Sequence, residues 1–453
     1  MTEVYGQQTR RAMRKHFYLP LVLLLSACGS EVVPQPASRR CDTFKGFAPV
    51  VSYTTANEPF TLVAVDVTGG GRSDLIVGER SSGGLTSEHM INDGNGAFVL
   101  SALHGASGNN ARNMVAADFS GQGTADLVSQ SNGATPSGLQ DLNLGDGVLG
   151  FDLGLGNGTF SSQLVTYATA ETSGSLAVGD FDGDGRLDVA FAGFDYVESG
   201  GDGTGISVPA PEPANYGLNI FLNAGGGAFA TPATYANPQP FQSIATGDFN
   251  GDGHLDLVGL TWTTATAPAF GIYLNAGDGT FGAETSFVDS NGFGNYGLAA
   301  GDFDGDGKDD VAVVTVLNPN QSNEDVVLAL YTGTTGGSFD GPALATIANI
   351  PSVYQLVTSD FNGDGKPDLA MVMGHDETGA LVNPIPVALF ENQGDGTFGA
   401  PVMYSVGGVD ESYAIAIAAA DFNGDGVTDL AVTTEGETSP YPLAVNVLLS
   451  ECE

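Results

Sequence analysis

One acidic phrase returns seven times along the chain, and nothing else in the sequence limits the fold so strongly. Residues 247–258 read GDFNGDGHLDLV and 301–312 read GDFDGDGKDDVA. The phrase recurs as GDFDGDGRLDVA at 179–190, SDFNGDGKPDLA at 359–370 and ADFNGDGVTDLA at 420–431. Weaker copies are VDVTGGGRSDLI at 65–76 and ADFSGQGTADLV at 117–128. The first aspartates fall at 66, 118, 180, 248, 302, 360 and 421, at intervals of 52 to 68 residues. A period of this size marks a repeat architecture, in which each unit buries its apolar face only against its neighbours.

A second phrase lies between the acidic ones: a β-rich run ending in a glycine turn and a phenylalanine. IYLNAGDGTFG (272–282), LFENQGDGTFG (389–399) and IFLNAGGGAFA (220–230) show it best. Each unit reads as four short strands. One enters the acidic loop (175–179), one leaves it (188–192), a third leads to the glycine turn (218–223), and a fourth follows the phenylalanine (229–235). Glycine turns between apolar runs signal hairpins. The 66 glycines argue against a helical protein, since each costs about 1 kcal/mol in a helix. Four antiparallel strands per repeat predict an all-β fold, a seven-bladed β-propeller.

The pairing of D-F-[DN]-G-D-G-x-x-D with G-[DG]-G-[TA]-F resembles the FG-GAP/VCBS repeat family, which includes the seven-bladed propeller of integrin α chains and many bacterial exported proteins. The resemblance covers about residues 41–453. The last copy stops after a third strand near 443–449, and CDTFKGFAPVVSY (41–53) matches the missing fourth, with Phe44 in the place of Phe281. The amino-terminal strand is therefore expected to complete the last blade. That alignment puts Cys41 and Cys452 at one hairpin tip, where an exported protein is expected to form a disulfide.

The acidic loop itself points to a metal. In Asp248-Phe249-Asn250-Gly251-Asp252-Gly253-His254-Leu255-Asp256, oxygen side chains stand at positions 1, 3, 5 and 9, with glycine at 4 and 6. Glycine permits the sharp turns that bring alternate oxygens around one point, and hard oxygens in such a loop suit calcium. The predicted ligand sets are Asp180, Asp182, Asp184 and Asp188; Asp248, Asn250, Asp252 and Asp256; Asp302, Asp304, Asp306 and Asp310; Asp360, Asn362, Asp364 and Asp368; and Asp421, Asn423, Asp425 and Asp429. The backbone carbonyl at position 7, which would be enough there, is offered by Arg186, His254, Lys308, Lys366 and Val427, so the side chain varies freely. About five Ca²⁺ ions are expected against 17 ligand carboxylates. An EF-hand is rejected, because position 12 holds Phe191, Gly259, Val313, Met371 or Val432 instead of glutamate. The first two copies have Thr68 with Gly70 and Ser120 with Gln122 at positions 3 and 5, and are expected to bind little or no calcium.

The amino terminus reads as an address. Arg14-Lys15-His16 precedes an apolar run, 17–27, too short to span a bilayer. Its end, Leu25-Ser26-Ala27-Cys28, resembles the lipobox of bacterial lipoproteins, in which the cysteine is acylated; an ordinary signal with an incidental cysteine is the alternative. The expected division is a signal over 1–27, a lipidated tether over 28–40 and a propeller over 41–453, with the protein anchored in the cell envelope, at the outer membrane or cell surface. Removing 1–27 takes away four basic residues and one acidic one, leaving nine against 52, a net charge of −43. Such a surface repels phosphate backbones and anionic lipid heads, so nucleic acid is excluded and membrane contact is expected only through the lipid.

No G-x-S-x-G, H-E-x-x-H or phosphate-cradling loop is present, so no enzyme is expected. His89, His104, His254 and His375 are expected in surface loops, and Trp262 is assigned a packing role ahead of sugar stacking. The resemblance leaves a non-catalytic module binding protein or glycan, a polysaccharide-active lyase, or an envelope-assembly component. The lyase is disfavoured because only nine basic residues are available to neutralise an acidic sugar. The connection over 193–217, with Trp262, His375 and Tyr441 on neighbouring loops, is the expected contact face, opposite the calcium loops.

Overall fold

The computed structural model describes the chain from Phe44 to Cys452, apart from residues 82–83, 102–112, 132–147, 162–164, 169–172, 195, 199–206, 210–216, 237–239, 262–269, 289–294, 318–324, 348–352, 374–384, 407–411 and 437–442. Seven four-stranded antiparallel sheets form the blades. In blade four the strands are Phe241–Gly247, Asp256–Thr261, Phe270–Tyr273 and Thr285–Phe287, each beside the one before it. The first strands of successive blades pack against one another, and that of blade seven, Ser412–Ala420, returns to that of blade one, Glu58–Val65, so the ring is closed. Among the described residues there is no helix.

The strands are apolar on both faces because each blade is sandwiched between two others. Every residue of Phe241–Gly247 and of Phe270–Tyr273 is buried. The core is divided into clusters lying between neighbouring blades, such as the one joining Phe249, Phe270, Leu298, Phe303, Val313 and Leu356 across blades four to six.

The outer strand of blade seven is Val51–Thr54, paired with Ala444–Leu448, so the two ends of the chain close the ring as the repeats predict. The register differs from the predicted one. In blade four Asn275 bridges Phe281, and in blade seven the equivalent bridge joins Ser450 to Phe47, so Phe47 stands in the place of Phe281, not Phe44. The physical reason is that here two chain ends pair, Phe44–Phe47 with Ser450–Cys452, in place of a glycine turn, and Gly46 (φ 105°) bulges to permit it. Phe47 then packs edge-on to Tyr404 at 4.8 Å, as Phe281 packs on Tyr235 at 5.9 Å. Blade three departs slightly too: its outer strand is Ala233–Ala236, while Phe229 belongs to a small hairpin with Asn223.

Candidate metal centres on one face of the ring

Each acidic phrase is the turn from the first strand of a blade to the second, so all seven open on the same face. In loop four, Asp248 Oδ1 accepts the N–H groups of Gly251 (2.8 Å) and Asp252 (3.1 Å), and its Oδ2 accepts that of Gly253 (2.8 Å). Asn250 Oδ1 accepts from Asp252 at 2.8 Å, and Asp252 Oδ1 from His254 at 2.9 Å. Gly251 (φ 76°) and Gly253 (φ 87°) occupy left-handed conformations that a side chain would oppose, which explains glycine at both positions. Loops five, six and seven repeat this pattern. The residue at position 2 anchors the loop: Phe181, Phe249, Phe303, Phe361 and Phe422 are fully buried.

Position 9 does more than the sequence suggests. Asp256 is fully buried, and its two oxygens accept the N–H of Phe249 (3.2 Å) and of Asn275 beyond the third strand (2.7 Å). Asp188, Asp310, Asp368 and Asp429 make the same pair of bonds. So does Asp74 in degenerate loop one, to Val67 (3.0 Å) and Asn92 (2.8 Å), while Asp126 in loop two holds Ser120 and Gly154. The ninth aspartate is thus a staple between loop and third strand, and this role accounts for its presence in copies that have lost positions 3 and 5. Burial outweighs these amide bonds and raises the carboxyls, Asp188 to about 6 and Asp256, Asp310, Asp368 and Asp429 to about 7.

Positions 1, 3 and 9 converge. Oxygens of Asp180, Asp182 and Asp188 lie within 4.8 Å of one another, as do those of Asp302, Asp304 and Asp310. Loops four, six and seven carry Asn250, Asn362 and Asn423 at position 3, so an amide oxygen replaces one carboxylate in their donor sets. This donor set of hard oxygens, crowded and partly desolvated, fits a calcium ion, which takes 6–8 of them.

Three features escaped the sequence. The seventh-position cations are not idle: Arg186 pairs with Asp184, Lys308 with Asp306, and Lys366 Nζ lies 3.0 Å from Asp364. The Lys308 ammonium holds the Asp306 carboxyl below its ordinary range. Asp309, beside the loop-five ligand, joins blades: its carboxylate accepts the N–H of Asp248 at 2.7 Å and its own N–H donates to the Asp248 carbonyl at 2.8 Å. The asparagine opening the glycine turn joins them as well. Asn92, Asn223 and Asn275 each donate, at 2.8 Å, to the position-2 carbonyl of the preceding blade: Phe422, Phe119 and Phe181. The recurrence of Asn before four of the six glycine turns, at Asn92, Asn223, Asn275 and Asn392, was the available signal.

His89 corrects the histidine reading. It is fully buried in the third strand of blade one, Gly84–Asn92, its Nδ1 2.8 Å from the Gly158 carbonyl and its ring edge-on to Phe160 at 5.3 Å. A strand facing the next blade buries even a polar side chain once a carbonyl meets it. His254 is exposed as expected, and its backbone N–H caps Asp252. His104, Trp262, His375, Tyr441, Cys28 and Cys41 lie outside the described residues. The 193–217 connection contains a two-stranded ribbon, Tyr196–Glu198 with Ser207–Pro209, on the face opposite the acidic loops.

A family model described as an FG-GAP-like repeat matches residues 201–259, 264–313 and 360–432. The chain carries FG-GAP-like repeats. The matched stretches contain loops four to seven; loops one to three share their geometry outside the match. No curated protein matches the sequence. Among solved structures, a chain of the Tc holotoxin pore of Photorhabdus luminescens is similar over 85% of this chain and 18% of its own length, with 15% identity and a TM-score of 0.36. This chain thus spans under a fifth of that one, and a likeness of that degree carries no functional argument.

Proposed function

We propose that this FG-GAP propeller is a calcium-stabilised, non-catalytic binding module for protein or glycan, exported and held in the cell envelope by acylated Cys28. The observation that carries the reading is the division of labour between the two faces of the ring. Five acidic loops lie on one face, two of them with three converging carboxylates, and bound calcium would fix the blade ends there. The connections from second to third strand lie on the other, and there the 193–217 segment adds a ribbon of its own. Insertions on a rigid scaffold are where binding residues collect. Export is supported by the basic, apolar and Leu-Ser-Ala-Cys order of the first 28 residues. The register that sets Phe44 opposite Cys452 supports a Cys41–Cys452 disulfide across the seam.

The test is a glycan array combined with capture from envelope extract, run with the full mature chain in calcium and with a variant whose residues 195–213 are replaced by a short glycine turn. The variant should retain its calcium-dependent melting and lose the captured glycan or protein. Full-strength capture by the trimmed variant would remove the ribbon from the binding face.

A further inference from the structure

On the reading that the five loops bind calcium, they fall into two classes that the ligand positions alone do not distinguish. In loops three, five and six the fifth-position carboxylate is held by the basic residue two positions on: Arg186 on Asp184, Lys308 on Asp306, Lys366 on Asp364. Two of these cations are anchored a second time, to the glycine turn of the same blade. Arg186 Nε donates to the Asn223 carbonyl at 2.8 Å, and Lys366 Nζ to that of Asn392 at 3.5 Å. In loops four and seven the same oxygen is held instead by an amide: Asn250 Nδ2 donates to Asp252 Oδ2 at 2.9 Å and Asn423 Nδ2 to Asp425 Oδ2 at 3.0 Å. The seventh residues there are His254 and Val427.

Formal charge follows the same division. Over positions 1, 3, 5, 7 and 9, loops three and five have four aspartates and one cation, and loops four and seven have three aspartates with a neutral seventh residue, so all four carry −3. The extra aspartates, Asp182 and Asp304, offset Arg186 and Lys308. Loop six has no such offset: three aspartates with Lys366 leave it at −2.

We propose that the seventh-position cations are built-in counter-ions. Each holds its loop together when calcium is absent and lowers that loop's affinity for calcium, and loop six is the weakest of the five sites. A calcium ion entering loops three, five or six meets a positive charge already seated on one of its ligands, whereas in loop four it displaces only an uncharged amide, and in loop seven an uncharged amide beside the Arg72 guanidinium that lies against Gly424.

The measurement is calorimetric calcium titration of the full mature chain, paired with thermal melting in excess chelator, for Lys366→Met, Lys366→Arg and His254→Lys. Lys366→Met should tighten one site roughly tenfold, the repulsion between a unit and a divalent charge ~6 Å apart in a water-like dielectric. Lys366→Arg should leave affinity as it is. His254→Lys, at an exposed position, should weaken one site by a similar factor. In chelator, Lys366→Met should melt below the unsubstituted protein, because Asp364 has lost its partner. Unchanged affinities in both Lys366→Met and His254→Lys would overturn the tuning. An unsubstituted protein that takes up no calcium would overturn the calcium reading and with it the affinity half; the chelator melt would still decide whether Lys366 is a counter-ion.

Discussion

At the scale of the residue, aspartates that look interchangeable along the repeat serve different ends. Those at positions 1, 3 and 5 cap the backbone of their own loop, and in loops three and five those at positions 1 and 3 bring an oxygen close to the ninth. The ninth is buried and stapled to amides from two segments. Asp74→Ala in loop one, where no calcium is expected, should therefore cost about 2–4 kcal/mol, the penalty of leaving two buried amides without their charged acceptor. Chemical denaturation should find that cost equal with calcium and with chelator. The raised carboxyls have a further consequence for pH. Asp256, Asp310, Asp368 and Asp429 titrate near 7 in the folded chain, against about 4 when unfolded. Between those values the folded state holds more protons, so the metal-free protein should lose stability as pH rises from about 4 to 7. Calcium requires the ionised form, so its stabilising effect should grow over the same interval. Melting temperatures across that range, with chelator and with calcium, should show opposite slopes.

At the scale of the element, a blade is not an independent unit. At three boundaries the acidic loop is bonded to the glycine turn of the next blade through Asn92, Asn223 or Asn275, and the outer strand offers a tyrosine hydroxyl to the turn phenylalanine beyond it. Tyr53, Tyr167 and Tyr235 accept the N–H of Phe98 (3.1 Å), Phe229 (2.8 Å) and Phe281 (3.0 Å). Stability therefore accumulates in the interfaces, as in other repeat arrays. Asn275→Ala removes bonds to the Phe181 carbonyl of blade three and to Leu255 of its own blade. The substitution should cost about 2 kcal/mol. Hydrogen exchange should locate the lost protection on both sides of the blade three–four boundary; loss confined to blade four would contradict the interface account.

At the scale of the whole molecule, the ring is closed by its own ends. The outer strand of blade seven comes from the beginning of the chain, and the following segment crosses to blade one with Ala56 N–H and Asn57 Nδ2 directed at the buried Glu88 and Glu79. A closure of this kind completes the four-stranded sheet of blade seven with a strand from the beginning of the chain and ties it to blade one. The Cys41–Cys452 disulfide would fasten it, and the chain-entropy model gives roughly 6 kcal/mol for so long a loop. Mass spectrometry of an unreduced digest should recover the two cysteine peptides joined, and a Cys41→Ser variant should melt lower. Free alkylatable thiols at both positions would contradict the proposal.

The repeat, the four-strand unit, the acidic loop and the shared last blade were legible in the sequence because each depends on local residue identity. Glycines at positions 4 and 6 set a backbone turn whatever surrounds them, and a missing fourth strand at one end is matched by a surplus strand at the other. Partners were not legible. The paired hydrogen bonds of each ninth aspartate, the clamp of Asp309 on Asp248, the burial of His89 and the three-residue shift from Phe44 to Phe47 all depend on groups brought from another strand or blade. Those groups are set at bonding distance only once the blade has folded and met its neighbours, because hydrogen bonds and charges act over ångströms of space while the repeat is written in residues of chain.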